Sequence, residues 1–371
     1  MTGALPEGWR KAIEELRGEE GAVVVLGGVD VGKTSFCLAL GLAATLGGRQ
    51  CGVVDADTGQ SEIGPPTTVG CAVLQGTPSS LSEVAPLSLF FVGSTSPPGH
   101  ITPLVVGVRR MADRLRAEGA GLMVVDLPGF VQGPAARVMV EGVVASVRPS
   151  TVVAIQSGDE LAPLLAGMRG MESPRLLTLG PSPAARRRSA EERATRRRLK
   201  FAEYFGGAGL LDVDLRACAL AGSSPFGGVP LRPNLRRFIE RQSSAGVLYA
   251  EQGGGRVVII TRTPLDGAAR ARIEQGLDGL DVVAVHAGWL QNRLVGLVDG
   301  AGEHLAVGIL EQVDLATLKA AVRAPLRSAA SIRQVVFGSL CVRADGTELG
   351  YSGQPELRLF DNGPREPGAG R

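Results

Sequence analysis

The sequence predicts an α/β chain: a parallel sheet with helices on both faces, followed by a smaller, mostly-β module. Three observations predict it. Between Gly21 and about residue 180, short β-branched runs alternate with helical or loop stretches, the pattern of a parallel sheet built from βαβ units. The first run, Ala22-Val23-Val24-Val25-Leu26, is apolar without a break, as a strand buried on both faces must be. From Ala245 onward the runs are separated by turn signals, Gly253-Gly254-Gly255, Asp299-Gly300 and Asp345-Gly346, which marks a module of different, mostly-β construction.

Residues 1–20 form an N-terminal extension with a charged, helix-like stretch from Glu7 to Arg17. Directly after the first strand, Gly27-Gly28-Val29-Asp30-Val31-Gly32-Lys33-Thr34 fits G-x-x-x-x-G-K-[ST] without a gap. With that strand before it and a helix predicted from Ser35 to Leu46 after it, the stretch is a P-loop. Its glycines let the backbone turn tightly, so that N–H groups and the helix N-terminus converge on a polyphosphate. Lys33 then reaches the β- and γ-phosphates and the Thr34 hydroxyl ligates Mg²⁺. Residues 27–35 are therefore the expected nucleotide site.

Further strands are predicted at 51–55, 87–92, 121–126, 151–156 and 175–179. In such a sheet ligands gather beyond the carboxyl ends of the strands, so the P-loop, Asp55 to Ser61, Gly93 to His100 and Asp126 to Gly133 are expected on one rim. Asp55 and Asp57 end the second strand; one acid there serves the metal and the other accepts a proton from an attacking hydroxyl. Asp57 is assigned as base and Asp55 as metal partner. The run Leu122 to Asp126 leads into Leu127-Pro128-Gly129-Phe130, a D-x-x-G pattern of GTPases. Guanine-specific GTPases usually carry Asn-Lys-x-Asp as well, and here Asn234, Asn292 and Asn362 are followed by Leu, Arg and Gly. The guanine-reading element is missing.

Pro181 to Phe205 reads as a charged helix protruding from the sheet, with Glu192 four residues before Arg196 as in a salt-bridged surface helix. The first domain is placed at 21–229, a linker at 230–244, the β-rich domain at 245–361, and a Gly/Pro-rich disordered tail at 362–371. Formal charge is only +2, yet 35 of the 39 basic residues are Arg, the side chain that grips phosphate bidentately; a GC-rich gene would produce the same bias. The five cysteines lie far apart with no C-x-x-C, which indicates neither a disulfide framework nor a zinc site and fits a reducing compartment. Nothing at the N-terminus of the sequence resembles a signal peptide, and no apolar run approaches membrane-spanning length. The cytoplasm is the expected location, with no membrane partner.

Several of these motifs, in this order, resemble the polynucleotide 5′-hydroxyl kinases of the Clp1/Grc3 type and their archaeal relatives. The P-loop with Asp30-Val31-Gly32-Lys33-Thr34 is similar to the family's Walker A. Asp55-x-Asp57-x-Gly59-Gln60, followed by Ile63-Gly64-Pro65-Pro66, is similar to its D-x-D-x-G-Q element, and Phe91-Val92-Gly93-Ser94-Thr95-Ser96-Pro97 to a loop of the archaeal members. Asp126 to Phe130 sits where the family has a T-x-G-W clasp. Leu127 replaces the Thr and cannot supply a hydroxyl, whereas Phe130 keeps a ring that stacks on a terminal base. Arg188-Ser189-x-x-x-Arg193 sits where the family has its arginine-bearing lid, here 181–205.

The resemblance implies ATP and Mg²⁺ as cofactors and a nucleic acid with a 5′-OH end, RNA or DNA, as acceptor. Lys33, Asp55, Asp57, Arg188 and Arg193 are the implied catalytic residues, with Thr34 and Asp55 on the metal. Gln60, Ser94, Thr95, Gly129, Phe130, Arg196 and Arg197 are implied on the substrate. Two other classes stay open at this point: a switch or adaptor ATPase slow at transfer, and a small-molecule kinase of the same fold.

Overall fold

The computed structural model describes residues 5–277 and 280–351. The first half runs α1 (Glu7–Leu16), β1 (Gly21–Gly27), α2 (Lys33–Leu46), β2 (Cys51–Asp55), β3 (Thr68–Val73), β4 (Ser88–Phe91), α3 (Ile101–Ala117), β5 (Leu122–Asp126), α4 (Gly133–Val147), β6 (Thr151–Ile155), α5 (Ala162–Leu165), β7 (Arg175–Leu179) and α6 (Ala190–Phe205). Its seven strands form one sheet in the order β4-β3-β2-β5-β1-β6-β7. Within it β2, β5, β1, β6 and β7 are mutually parallel. The expected all-parallel sheet needs one correction: β3 is antiparallel to both β2 and β4. Thr68-Val-Gly-Cys-Ala-Val73 is interrupted at its centre by Gly70, Cys71 and Ala72, so it gives little strand signal. Two reversals leave β4 pointing with β2, and its carboxyl end on the common rim.

The unbroken apolar run of β1 is explained by its two covers. Ala22, Val24 and Leu26 pack with α3 and α4, while Val23 and Val25 pack with α1 and α2, as alternation along a strand requires. The N-terminal helix is thus a structural layer of this domain. Trp9 of α1 is 1% exposed, meets Phe36 edge-on at 5.3 Å between ring centroids, and donates from Nε1 to the Gly180 carbonyl at 2.8 Å. Its ring also closes on Gly32, where a Cβ would lie 2.9 Å away and where the backbone has φ +97°. Trp9→Ala should therefore lower stability by about 3–5 kcal/mol and loosen the P-loop together with it. Chemical denaturation in parallel with nucleotide affinity reads both effects.

The second half runs β8 (Gly209–Asp214), β9 (Ala219–Gly222), β10 (Val229–Pro230), α7 (Pro233–Gln242), β11 (Val247–Gly253), β12 (Arg256–Thr261), α8 (Gly267–Gly276), β13 (Asp281–His286), β14 (Arg293–Val298), β15 (His304–Asp314), β16 (Lys319–Ala324), β17 (Gln334–Val342) and β18 (Glu348–Tyr351). Strands β18-β17-β14-β15-β16-β8, with β9 alongside β17, form a second seven-stranded sheet, and β10-β11-β12-β13 a four-stranded one. This corrects the boundary at 229, because β8 and β9 pair with β16 and β17. It also corrects the linker at 230–244, most of which is α7, with Ile239 buried against α8 and the four-stranded sheet. The tail at 362–371 lies outside the described residues. Among the described residues no helix is long and apolar enough to cross a membrane.

The predicted lid divides in two. Residues 181–189 are irregular, and α6 begins at a capping box in which Ser189 accepts from the Glu192 amide and Glu192 accepts from the Ser189 amide, so Glu192 serves the helix start instead of Arg196. The far end of α6 is rooted. Phe201 and Phe205 are buried among Phe91, Leu294, Val307, Ile309, Leu340 and Val342, and the Val307 amide donates to the Tyr204 hydroxyl at 3.0 Å. The helix is therefore half rim and half C-terminal core.

Candidate active site

The four expected loops do meet. Gly32 caps α2 in the left-handed region, turning the P-loop amides inward at the helix N-terminus. Lys33 is buried with Nζ 2.8 Å from the Gly28 carbonyl. Val31 packs inward, whereas Val29 is 58% exposed and Ser35 is exposed on the first turn. Gly129 lies against Val29 so closely that a Cβ would come within 2.9 Å of its backbone. The loop after β5 is thereby laid along the P-loop, with Leu127 fully buried and Phe130 half-buried against the core.

Thr34 Oγ1 donates to Asp126 Oδ2 at 2.6 Å. That bond identifies the acid at the foot of the phosphate cradle. The expected metal acid, Asp55, is differently employed: its Oδ2 accepts from the amides of Glu62 and Ile63, the latter at 3.0 Å, and its Oδ1 from the Asp57 amide at 3.1 Å. Asp55 therefore organises the loop that follows it, and the carboxylate beside Thr34 is Asp126. Burial and the neighbouring Asp126 push Asp55 up to about 8 against the pull of those amides. Burial likewise raises Asp126, to about 6, opposed by Lys33 and the Thr34 hydroxyl. Two buried acids, with Lys33 set against Asp126 alone of the pair, leave this site short of positive charge.

Asp57 stands one turn further out, half-buried. Its Oδ1 accepts from the amides of Gly59 and Gln60 at 3.1 and 2.9 Å, which fixes the carboxylate and leaves Oδ2 outside those bonds. Among the described residues, the buried side-chain oxygens without a partner are Thr58 Oγ1, Gln60 Oε1, Thr67 Oγ1 and Asp126 Oδ1. All belong to this rim or the loop beneath it. Orphaned buried acceptors are costly, and their gathering here suits a site completed by a polar, cationic ligand. Mg²⁺ fits this donor set, being held by few protein groups and mostly by phosphates and water; no group of three His, Cys, Asp or Glu among the described residues offers a fuller metal cage.

The arginine segment closes the site from above. The Arg188 amide donates to Asp30 Oδ2 at 2.9 Å, and the Arg188 and Arg193 guanidinium groups lie 3.6 and 3.3 Å from the same carboxylate. Arg193 also donates to the Arg188 carbonyl at 2.6 Å, and Gln60 Nε2 to the Arg193 carbonyl at 3.4 Å. Arg196 and Arg197, expected on the nucleic acid, are both paired with acids: Arg196 shares Glu62 with Lys200, and Arg197 bonds Glu348 of β18 through Nε and Nη2. The exposed arginines of the segment are Arg186, Arg187, Arg188 and Arg198, and Arg186 pairs with Glu192. On the other flank Thr95 Oγ1 lies 2.7 Å from the Tyr351 hydroxyl, and Ser94 Oγ donates to the Ser96 carbonyl. The C-terminal hairpin β17–β18 thus touches both the arginine helix and the 93–100 loop.

The model of the P-loop of the mRNA cleavage and polyadenylation factor CLP1 matches residues 27–207. A polyribonucleotide 5′-hydroxyl-kinase of Thermococcus kodakarensis is 30% identical over 335 residues, which is 90% of this chain and 92% of that protein. Another of the same name from Pyrococcus furiosus is 29% identical, covering 88% and 89%. Among solved structures, a wild-type Clp1p–Pcf11p complex aligns over 89% of this chain and 77% of the other at a TM-score of 0.56 and 14% identity, a likeness of fold.

Proposed function

The chain belongs to the polyribonucleotide 5′-hydroxyl-kinase family, and from that premise we propose how its own residues move the γ-phosphoryl group of ATP to the 5′-hydroxyl end of RNA. The P-loop amides and Lys33 hold the β- and γ-phosphates. Thr34 and Asp126 would hold Mg²⁺, which when bound offsets the charge on those phosphates. Asp57, oriented by the amides of Gly59 and Gln60, accepts the proton of the 5′-hydroxyl as its oxygen attacks. Arg193, with Arg188 beside it, brings positive charge to the transferring group. The RNA end lies between Phe130 and the Ser94–Thr95 loop, its terminal base on the Phe130 ring. The observation that carries this reading is the contact of both arginines with Asp30 inside the P-loop, which supports a place for them over the phosphate site.

The test is a transfer assay with γ-labelled ATP and matched 5′-OH RNA and DNA oligonucleotides. Label on the RNA is expected, and ATP hydrolysis with no label on either oligonucleotide would contradict the reading. In the same assay Asp126→Asn should raise the Mg²⁺ concentration needed for half-maximal rate by about tenfold or more, whereas added Mg²⁺ should not restore Asp55→Asn, whose loss is of loop geometry.

A further inference from the structure

An acid within the phosphate cradle is electrostatically misplaced. Asp30 lies three residues before Lys33, with its side chain only 8% exposed, in a loop meant to receive a triphosphate, and at close range in a poorly solvated site such a charge opposes the ligand. Its backbone lies at φ +56°, a left-handed conformation that Asp tolerates better than most L-residues but that Gly alone takes without cost. Both costs have one visible return: the carboxylate gathers the Arg188 amide and both guanidinium groups.

We propose that Asp30 is a positioning residue that parks Arg193 and Arg188 over the P-loop before the nucleotide arrives. This rests on the kinase reading for its effect on the rate. In the nucleotide-free chain the two guanidinium groups neutralise Asp30. When ATP enters, the γ-phosphate competes for the same two cations, which are already at the place where charge develops. Asp30 thereby spares Arg188 a search through the conformations open to the irregular residues 181–189, and spares the Arg193 side chain a search among its own rotamers. It weakens ATP binding somewhat and speeds the chemical step, a trade that a purely structural residue would not make.

Asp30→Asn keeps the side-chain shape and tolerates the positive φ, while Asp30→Gly removes the acceptor at no backbone cost. For Asp30→Asn, ATP affinity should rise by about threefold to tenfold as one repulsive charge is lost, and kcat should fall by about tenfold to a hundredfold as the arginines lose their station. Hydrogen exchange at the Arg188 amide in the nucleotide-free Asp30→Gly protein should accelerate by about tenfold or more. In an Arg188→Ala/Arg193→Ala background Asp30→Asn should change kcat less than twofold, since coupled residues are not additive. ATP affinity falling in step with kcat would overturn the proposal, as would an equal loss of kcat with or without the arginines, or unchanged exchange at Arg188. A wild-type chain that binds ATP but labels no RNA would overturn the kinase reading instead, and the affinity and exchange measurements would still decide whether Asp30 holds the arginines.

Discussion

Arg193→Ala should lower kcat by about 10³–10⁵, the loss seen when an arginine that neutralises a transferring phosphoryl group is removed. The expectation follows from placement. Arg193 is half-buried, its Nη1 held between Asp30 and the Arg188 carbonyl, and its carbonyl receives Gln60, so one residue joins the lid to the P-loop and to the acid loop. RNA binding and its dependence on salt should scarcely change. Arg187 and Arg198 are exposed and should respond in the opposite way. Their alanine variants should keep kcat, weaken RNA binding across sequences, and reduce the slope of log K against log salt by about one unit per lost phosphate contact. Single-turnover transfer and salt titrations of oligonucleotide binding measure the two patterns separately. An Arg193→Ala protein with near-normal kcat would remove the lid from the chemistry.

Asp57→Asn should reduce turnover by about 10²–10⁴ with ATP binding intact. The substitution is nearly silent in structure, because Asn retains the one oxygen that accepts from Gly59 and Gln60 and replaces the other with an NH₂ group that cannot take a proton. The neighbouring Asp55→Asn is not silent. Both Asp55 oxygens accept backbone amides, so the new NH₂ would face a buried donor, at a cost of about 1–3 kcal/mol. A rate loss for Asp57→Asn at unchanged melting temperature, beside a lowered melting temperature for Asp55→Asn, distinguishes base from scaffold. Unimpaired transfer by Asp57→Asn would end its assignment as the base.

The contrast between these two acids marks what can be read in the chain without its fold. The P-loop was legible because its parts are contiguous and its flanking strand and helix repeat the same message. The Asp55–Asp57 pair was legible as a pair, but not in its division of labour, which depends on the amides of residues 59–63 folding back on it. Asp126 was legible as the start of a rim loop, a GTPase-like D-x-x-G and the clasp position, but not as the partner of Thr34. Its bond to Thr34 spans 92 positions, and the signal for it was weak but present: an apolar strand ending in acid, next to the P-loop strand in a parallel sheet. The partners of Arg196 and Arg197 could not be inferred from spacing, since Glu62 and Glu348 come from two other parts of the chain. Helical periodicity offered Glu192 instead, which the capping box had already taken.

Helix α6 behaves as a lever with its fulcrum in the C-terminal core. Arg193 sits eight residues from Phe201, a span of about 12 Å along the axis. A tilt of about 5° at the root would carry the arginine roughly 1 Å, and an error of that size in a reacting geometry costs about a hundredfold in rate. The aim of Arg193 is therefore set by the packing of Phe201 and Phe205 against Val307, Leu340 and Val342, in a sheet separate from the one that carries the P-loop. Trimming a methyl group from that core would misdirect the chemistry well before it unfolded the protein.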